Sequence, residues 1–476
     1  MSELPLAPDL PRKLGLFSVT NIVIANMMGV GVFTTAGLLI ADLRHPLLML
    51  GLWLLGGVIA VCGALCYGEL GAAMPRAGGE YFFLSRLFHP LLGFLSGWVS
   101  LFAGFSAPIA AAAIGISAYL LRAFSGLATP GLLPPEVEQV LIKKMVALAM
   151  IAAVVGVQLR GMRLTTAVQN VLTVLKVGLI VLLVGTGFAV GHGSWSHFTA
   201  ADSLPLDFAG WKIVGLALVW IMFAYTGWNS AAYIGSEIRD PVRNLPRALL
   251  LGAGIVILLF AALNVLFVYA VPPADMSGVI SVGGLATGRL FGASFEAVGS
   301  VLISLALLSS LCTLFILGPR VYFSMARDGQ FFPFAGRVHR HCRVPARSLL
   351  LQGGVAALMV LLGSFDQILT YMGLCLGMFP ILAVAGIFKL RRQGGSPYRL
   401  PGFPLVPLIF LVASAAILLL AVLERPLALP GAMVTLLAGI PFYYHFRRRY
   451  GRARVETPAD GVPGEAEAVV LRKMAG

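Results

Sequence analysis

Two short strings put backbone-breaking chemistry inside membrane-length apolar stretches: Gly29-Val30-Gly31, and Phe223-Ala224-Tyr225-Thr226-Gly227-Trp228-Asn229. Hydrocarbon offers no partner to freed N–H and C=O groups, so unwound backbone at that depth survives only against protein, water or a bound solute. The glycines of the first string let N–H groups turn toward a solute. The half-helix that follows aims its positive end at the same place, a geometry that suits a carboxylate. Carbonyls freed from Phe223 to Thr226 suit an ammonium group, so the two breaks together could hold both charged ends of a zwitterion. Asn229 would be costly against lipid. Plainer readings stand beside these. The glycine pair serves equally well to let two helices pack closely, and Tyr225 and Trp228 are ordinary packing aromatics more often than ligands.

One further residue carries chemistry at depth. Lys176 lies about ten residues past the start of its apolar span, roughly 15 Å in by helical rise. A charged lysine there costs on the order of 2.5 to 3.5 kcal/mol. It should therefore face the bundle interior, either bound to carbonyls or without its proton, and it is a candidate coupling residue. Arg320, near the end of a later span, is expected to snorkel or to pin a loop. An intramembrane enzyme is disfavoured. There is no His-Glu-x-x-His string, and His45, His89, His192, His197, His339, His341 and His445 all lie in loops or near span ends. Cys62, Cys66, Cys312, Cys342 and Cys375 fall in no external loop and are expected to be free thiols. Cys62 and Cys66 share a helix face but lack further metal ligands. No metal site and no cofactor are expected.

The elements that must position these residues follow from composition. With 59% hydrophobic and 11% charged residues and a mean hydropathy of +0.92, the chain is expected to be an all-α polytopic membrane protein. About twelve spans are predicted, near 18–40, 47–72, 91–121, 142–158, 166–190, 212–235, 247–271, 296–324, 347–363, 367–390, 404–423 and 428–446, with Pro246 placed to start the seventh. Of the 34 Lys and Arg residues, only Arg44, Arg122, Lys143, Lys144, Lys212, Arg289 and Arg425 fall on one set of ends. The opposite, basic side is therefore expected to be cytoplasmic and to carry both termini. The net charge of +14 follows from that topology, and Arg447-Arg448-Arg449 reads as a contact to anionic lipid rather than to nucleic acid. No cleavable signal precedes the first span. The polar tail from Val455 to Gly476 is expected to lack structure. Spans one to five and six to ten align with the two breaks opposite each other. Because five is odd, the second set would be inverted relative to the first.

Six strings in order then carry a resemblance. They are Gly29-Val30-Gly31-Val32-Phe33, Met74-Pro75-Arg76-Ala77-Gly78-Gly79-Glu80-Tyr81, Phe223 to Asn229, Glu237 to Pro246, Ala326-Arg327-Asp328-Gly329 and Pro397-Tyr398-Arg399-Leu400-Pro401-Gly402. Over nearly its whole length the chain resembles the amino acid, polyamine and organocation transporter superfamily, and within it bacterial permeases similar to the L-type amino acid transporters. The resemblance implies a leucine-transporter-like fold of five plus five inverted helices with two extra C-terminal helices. It also implies a substrate carboxylate on backbone N–H groups at Gly29, Val30 and Gly31, and an amine on carbonyls at Phe223, Ala224 and Thr226. Phe223 would be an aromatic gate, and Asn229 would hold the broken sixth helix. Lys176 would put its ammonium where sodium-coupled relatives hold sodium, so sodium dependence is disfavoured. Two departures matter. Val30 stands where relatives often carry serine, so only a backbone contact carries over there. Asn229 stands where relatives handling other cargo can carry glutamate, which removes a buried anion and points to neutral substrates. The loop after span three lacks the cysteine by which animal L-type transporters link to a glycoprotein, so no disulfide-linked ancillary subunit is expected.

The resulting expectation is a secondary transporter moving neutral L-amino acids by alternating access, sodium-independent, working by proton symport or by amino acid exchange. A cationic amino acid or polyamine transporter of the same fold is the alternative, and a non-transporting amino acid sensor is the alternative of another class. The expected division is a cytoplasmic N-terminus (1–15), a first five-helix repeat (16–190), an external loop (191–211), a second, inverted repeat (212–390), two additional helices (391–447) and a cytoplasmic tail (448–476). The partners expected are the substrate, the lipid bilayer and protons. The absence of any Asn-x-Ser/Thr sequon fits a bacterial inner membrane.

Overall fold

Apolar composition with few strand breaks leaves backbone groups to be satisfied within each segment, and the chain accordingly folds almost entirely as helix. The computed structural model describes residues 12–29, 31–124, 135–199, 207–279, 281–292, 294–338, 344–363, 365–394, 396–424 and 429–450. Val30, Cys342 and the polar tail, for which expectations were stated above, lie outside the described residues. Among those described, the only β-type pairing consists of two isolated bridges, Leu14 with Ile238 and Ala77 with Ile234.

Each of the twelve predicted spans coincides with a helical passage. The first is split into α1 (Leu16–Met27) and α2 (Gly31–Leu43). Next comes α3 (Pro46–Ala73), started by Pro46 with the His45 ring accepting from the Leu48 N–H. A short α4 (Glu80–Leu87) precedes the third passage, α5 (Pro90–Val99) and α6 (Ala107–Ala123), joined by a π-helical stretch at Ser100–Ser106. The sequence reading did not anticipate that stretch. Passages four to six are α7 (Pro135–Leu159), α8 (Met162–Val190) and α9 (Phe208–Ala224). The seventh is α10 (Pro241–Ala270), and the connection after it contains α11 (Pro273–Met276) and α12 (Val282–Phe291). The remaining passages are α13 (Ser294–Arg327), α14 (Ala346–Leu362), α15 (Phe365–Arg392), α16 (Leu405–Glu424) and α17 (Leu429–Tyr450). Among the described residues, seven passages are long and apolar enough to cross a membrane on length and composition alone.

Two expected boundaries need correction. Pro246 does not begin the seventh passage: α10 starts at Pro241, after Asp240 in a left-handed conformation (φ 44°), and Pro246 sits inside the helix. It is accommodated because it packs on Gly68 of α3, which has no side chain to obstruct it. The sixth passage does not resume as a long helix after its break. It continues as two short 3-10 turns, Ser230–Tyr233 and Gly235–Glu237.

Burial is organised for a lipid solvent. On α8, Val171, Val174, Leu175, Val181 and Leu182 are exposed, whereas Thr165, Gln169, Thr173 and Lys176 are buried. Apolar residues outward and polar residues inward are what hydrocarbon surroundings select.

The basic end of the bundle is knitted by the resemblance-bearing strings. Glu237 receives the Arg320 Nε–H at 2.8 Å, and both side chains are about 4% exposed. Its carbonyl accepts from the Lys13 and Leu14 N–H groups, while Arg239 N–H returns to the Leu14 carbonyl. Arg320 therefore pins a loop, one of its two expected roles. Tyr81 OH donates to Asp328 at 2.8 Å. Glu69, fully buried, takes two hydrogen bonds from Arg391 and one from the Leu400 N–H, which anchors the Pro397–Gly402 string.

Removing one member of a buried ion pair strands the other charge, at about 3 to 5 kcal/mol. Glu237→Ala is therefore expected to lower thermal stability in detergent markedly. The double substitution Glu237→Leu with Arg320→Leu should lower it less. Equal melting of wild type and Glu237→Ala would mean the pair does not hold this end together.

Candidate functional site

The two breaks meet. Where α1 ends, Met28 leaves the helical region and the Gly29 N–H folds back onto the Met27 carbonyl at 2.8 Å. The chain becomes helical again at Gly31. A Cβ at Gly31 would lie 2.6 Å from the Ala224 Cα, so only glycine lets α2 start against the last residue of α9. In the second break Gly227 adopts φ 104°, a region that L side chains rarely enter, and a Cβ there would also strike Asn26. The single glycine of the sixth span is thus the residue that breaks it. Gly29, Gly31, Phe223, Ala224, Thr226 and Asn229 all line one central cavity.

Not every expected contact atom is equally open. The Phe223 carbonyl already accepts from both the Thr226 N–H (3.1 Å) and the Thr226 hydroxyl (2.7 Å), which occupies both its lone pairs. The carbonyls of Ala224 and Thr226 take no such bonds among the described residues. On the opposite wall the Gly29 N–H is spent on Met27, so the open donors are those of the first turn of α2, beginning at Gly31.

Lys176 is 1% exposed and faces the bundle interior as expected. Its ammonium donates to the carbonyls of Met28 (2.8 Å) and Ala25 (3.3 Å) and to the Ser310 hydroxyl (2.7 Å). Ser310 in turn lies within hydrogen-bond distance of both carbonyls and borders the cavity. Lysine and serine thus satisfy the backbone that the α1 break frees, one layer behind the cavity wall. Sequence reasoning missed Ser310. Its only signal was a hydroxyl pair, Ser309-Ser310, within an apolar span.

Asn229 belongs to a buried polar cluster on the cavity wall. Its amide donates to Glu80 Oε1 at 2.6 Å and to the Tyr233 hydroxyl at 3.1 Å, while the Tyr67 hydroxyl donates to the same Glu80 oxygen at 2.8 Å. Glu80 is 3% exposed and lines the cavity. Asparagine at 229 brings no anion of its own, but α4 supplies one to the site from another segment. The signal was a lone acid directly after Gly78-Gly79 at the mouth of an apolar stretch.

The two aromatics take their packing roles. Tyr225 donates to the Trp53 carbonyl and sits against Trp53 and Phe260. Trp228 packs edge-on to Tyr67 and Phe410. Phe223 is half-buried and separates the central cavity from a second one along α16. Cys62, Cys66, Cys312 and Cys375 are free and buried, and no cluster of His, Cys, Asp or Glu suited to a metal occurs among the described residues.

A cavity between two broken helices, lined by unengaged backbone donors on one wall and carbonyls on the other, has the chemistry to suit a small dipolar solute, and no reactive constellation lines it among the described residues. The sequence matches the amino acid permease family model over residues 14–440. The chain belongs to that family. Similar proteins include the Asc-type amino acid transporter 1 of Mus musculus, 26% identical over 446 residues, covering 91% of this chain and 81% of the relative. The large neutral amino acids transporter small subunit 2 of Rattus norvegicus is 26% identical over 440 residues, covering 91% and 80%. The b(0,+)-type amino acid transporter 1 of Mus musculus is 26% identical over 444 residues, covering 92% and 88%. The permease is thus an integral membrane amino acid transporter and not an enzyme.

In this permease Glu80→Ala removes the carboxylate oxygen that accepts from both Asn229 and Tyr67. Two buried donors lose that partner, at about 1 to 3 kcal/mol each. Transport rate is expected to fall about tenfold or more with the protein still folded. Wild-type uptake by this variant would show that the cluster is dispensable.

Proposed function

We propose that the permease moves neutral L-amino acids by alternating access without sodium, by proton symport or amino acid exchange. The observation that carries the sodium-independent reading is the Lys176 ammonium, which already occupies the place beside the freed Ala25 and Met28 carbonyls and Ser310 where a bound cation would otherwise sit. The substrate carboxylate lies on the N–H groups at the start of α2, in the Gly29-Val30-Gly31 segment, and the positive end of that helix attracts it. The ammonium lies on the carbonyls at the end of α9, those of Ala224 and Thr226 being the open ones. Phe223 bounds the cavity and acts as its gate. Asn229 holds the break after α9 in shape through Glu80 and Tyr233. Residues 16–190 and 212–390 form the two inverted repeats, residues 391–447 add two helices, and the basic end with both termini faces the cytoplasm of a bacterial inner membrane. With no cysteine in the loop after the third passage, no disulfide-linked subunit is required.

One observation favours a second reading. The Glu80 carboxylate on the cavity wall offers a counter-charge to a cationic amino acid or polyamine. Competition of labelled neutral amino acid uptake by arginine, lysine or a polyamine separates the two. Strong competition supports the cationic reading, and none supports the neutral one.

The test is uptake of labelled amino acids by proteoliposomes, either empty with an inward proton gradient or preloaded with unlabelled amino acid. Gradient-driven uptake into empty vesicles establishes symport, and uptake only into preloaded vesicles establishes exchange. Stimulation by sodium would contradict the assignment. Lys176→Ala leaves the single proton of the Ser310 hydroxyl to serve both carbonyls and is expected to reduce transport sharply in a folded protein. Near-normal uptake with unchanged pH sensitivity would remove Lys176 from the mechanism. Phe223→Ala is expected to weaken substrate retention, raising the half-saturating concentration about tenfold. Unchanged affinity and rate would retire the gate.

A further inference from the structure

Lys176 is the inner end of a polar stripe. Thr165, Gln169, Thr173 and Lys176 recur at helical spacing along one face of α8 and are all at most 2% exposed. The stripe runs about 16 Å by helical rise, from the end of α8 that follows the basic segment at Arg160 to the middle of the bundle. Gln169 and Thr173 are linked to each other and to α13. The Gln169 amide donates to the Thr173 hydroxyl (2.9 Å) and the Ser309 hydroxyl (3.2 Å), and Thr173 and Ser309 share a hydrogen bond of 3.2 Å. Ser309 adjoins Ser310, which holds the Lys176 ammonium. On the α1 side, Asn21 donates to Asn170 and Asn170 to Ser18, continuing polar contact toward the same end.

Polar side chains between membrane helices often serve only as glue, and glue is satisfied internally. This stripe is not. Gln169 Oε1 and Thr165 Oγ1 are buried and have no partner among the described residues, and they lie one helical turn apart on the same face. Leaving each dry would cost about 1 to 3 kcal/mol, whereas a water bridging the two satisfies both.

We propose that Thr165, Gln169 and Thr173 line a narrow hydrated path by which a proton passes between the basic end of the bundle and Lys176. The proposal rests on the transport reading above and selects proton symport within it. In the step, one N–H bond of the Lys176 ammonium breaks and the proton passes to water at the stripe, leaving a neutral amine. Hydroxyls and water carry the proton on to the basic end, and Gln169 orients the water. The ammonium has three donors for the Ala25 and Met28 carbonyls and Ser310, while the amine has two. The amine can still donate to both carbonyls while its lone pair accepts from Ser310, so the bond withdrawn on deprotonation is the one the Ser310 hydroxyl makes to a carbonyl, which weakens the hold on the end of α1. Recharging from the opposite side through the cavity restores the hold. Among the described residues, the titratable group that acts on Lys176 from the packed elements is the Cys312 thiol of α13. From α1 it meets only backbone carbonyls, and no carboxylate touches it among the described residues.

The test uses full-length protein in vesicles containing a pH-sensitive dye, with labelled amino acid outside. Wild type is expected to carry protons inward with the amino acid. In Gln169→Leu and Thr165→Val the protons moved per amino acid should fall at least tenfold, while exchange between amino acid pools at equal pH stays within about twofold of wild type. An unchanged ratio in both variants overturns the path. Wild type that exchanges amino acids but moves no protons also overturns it and leaves the transport reading intact. Wild type that moves no amino acid at all overturns that reading and the path with it. Water access is read separately, by labelling Thr165→Cys and Gln169→Cys with a small hydrophilic thiol reagent and mapping the adducts by mass spectrometry. Modification at both positions supports the path, and protection of both overturns it whatever the flux.

Discussion

Every backbone group released where α1 stops must find a partner in surroundings that supply none, and the rest of the architecture answers that demand. The Ala25 and Met28 carbonyls are taken by Lys176 and Ser310 from two other helices. An ammonium suits this place because it brings three donors from one atom. On the far side of the break, the donors at the start of α2 stay open toward a cavity, and Gly31 lets that helix end touch Ala224. The unsatisfied groups are thus divided: those facing protein are paired by fixed side chains, and those facing the cavity are left for the solute. A transporter needs that division, since a site satisfied internally would have nothing to offer its cargo.

The same reasoning explains the buried charges at the basic end. Glu69 accepts a paired fork from Arg391 and a backbone N–H from Leu400, and the Arg391 guanidinium also lies 3.9 Å from the centre of the Phe403 ring. Glu237 meets Arg320 and fixes the N-terminal segment by its carbonyl. Each charge is held by several directional contacts, which buried ions need if they are not to destabilise. These contacts tie segments far apart in sequence: Tyr81 of one string meets Asp328 of another, Glu237 meets Arg320 of α13, and Leu400 meets Glu69 of α3.

Much of this was legible before any coordinates. Spans of hydrocarbon length are set by composition, and Gly29 to Gly31 announces a break because glycine and unwound backbone go together. The inward orientation of Lys176 followed from the cost of its charge. What the chain did not disclose was partnership. Glu80 reads as a solvated acid at a helix start, and only the fold brings it to Tyr67 of α3 and to Asn229 and Tyr233 of the turn after α9. Ser310 reads as a small packing residue until α1 and α8 converge on it. The π-helical stretch at Ser100–Ser106 has no compositional mark. Pro246 misled because a proline suits a helix start in isolation, whereas Gly68 of α3 makes room for it inside one.

The positions of the two buried charges bear on what the cavity accepts. Lys176 stands behind the α1 break, on the side where the positive end of α2 opens. Glu80 stands behind the turn that follows α9, on the side where its last carbonyls open. Each full charge therefore has the same sign as the helix end in front of it, and the two reinforce a field that runs across the cavity. A zwitterion with its carboxylate toward α2 and its ammonium toward α9 gains from both ends of that field, while a lone ion gains from one end only. The amide of Asn229 and the hydroxyl of Tyr67 already hold the Glu80 oxygen. A cationic side chain has to compete with them, whereas the main-chain ends of any amino acid do not.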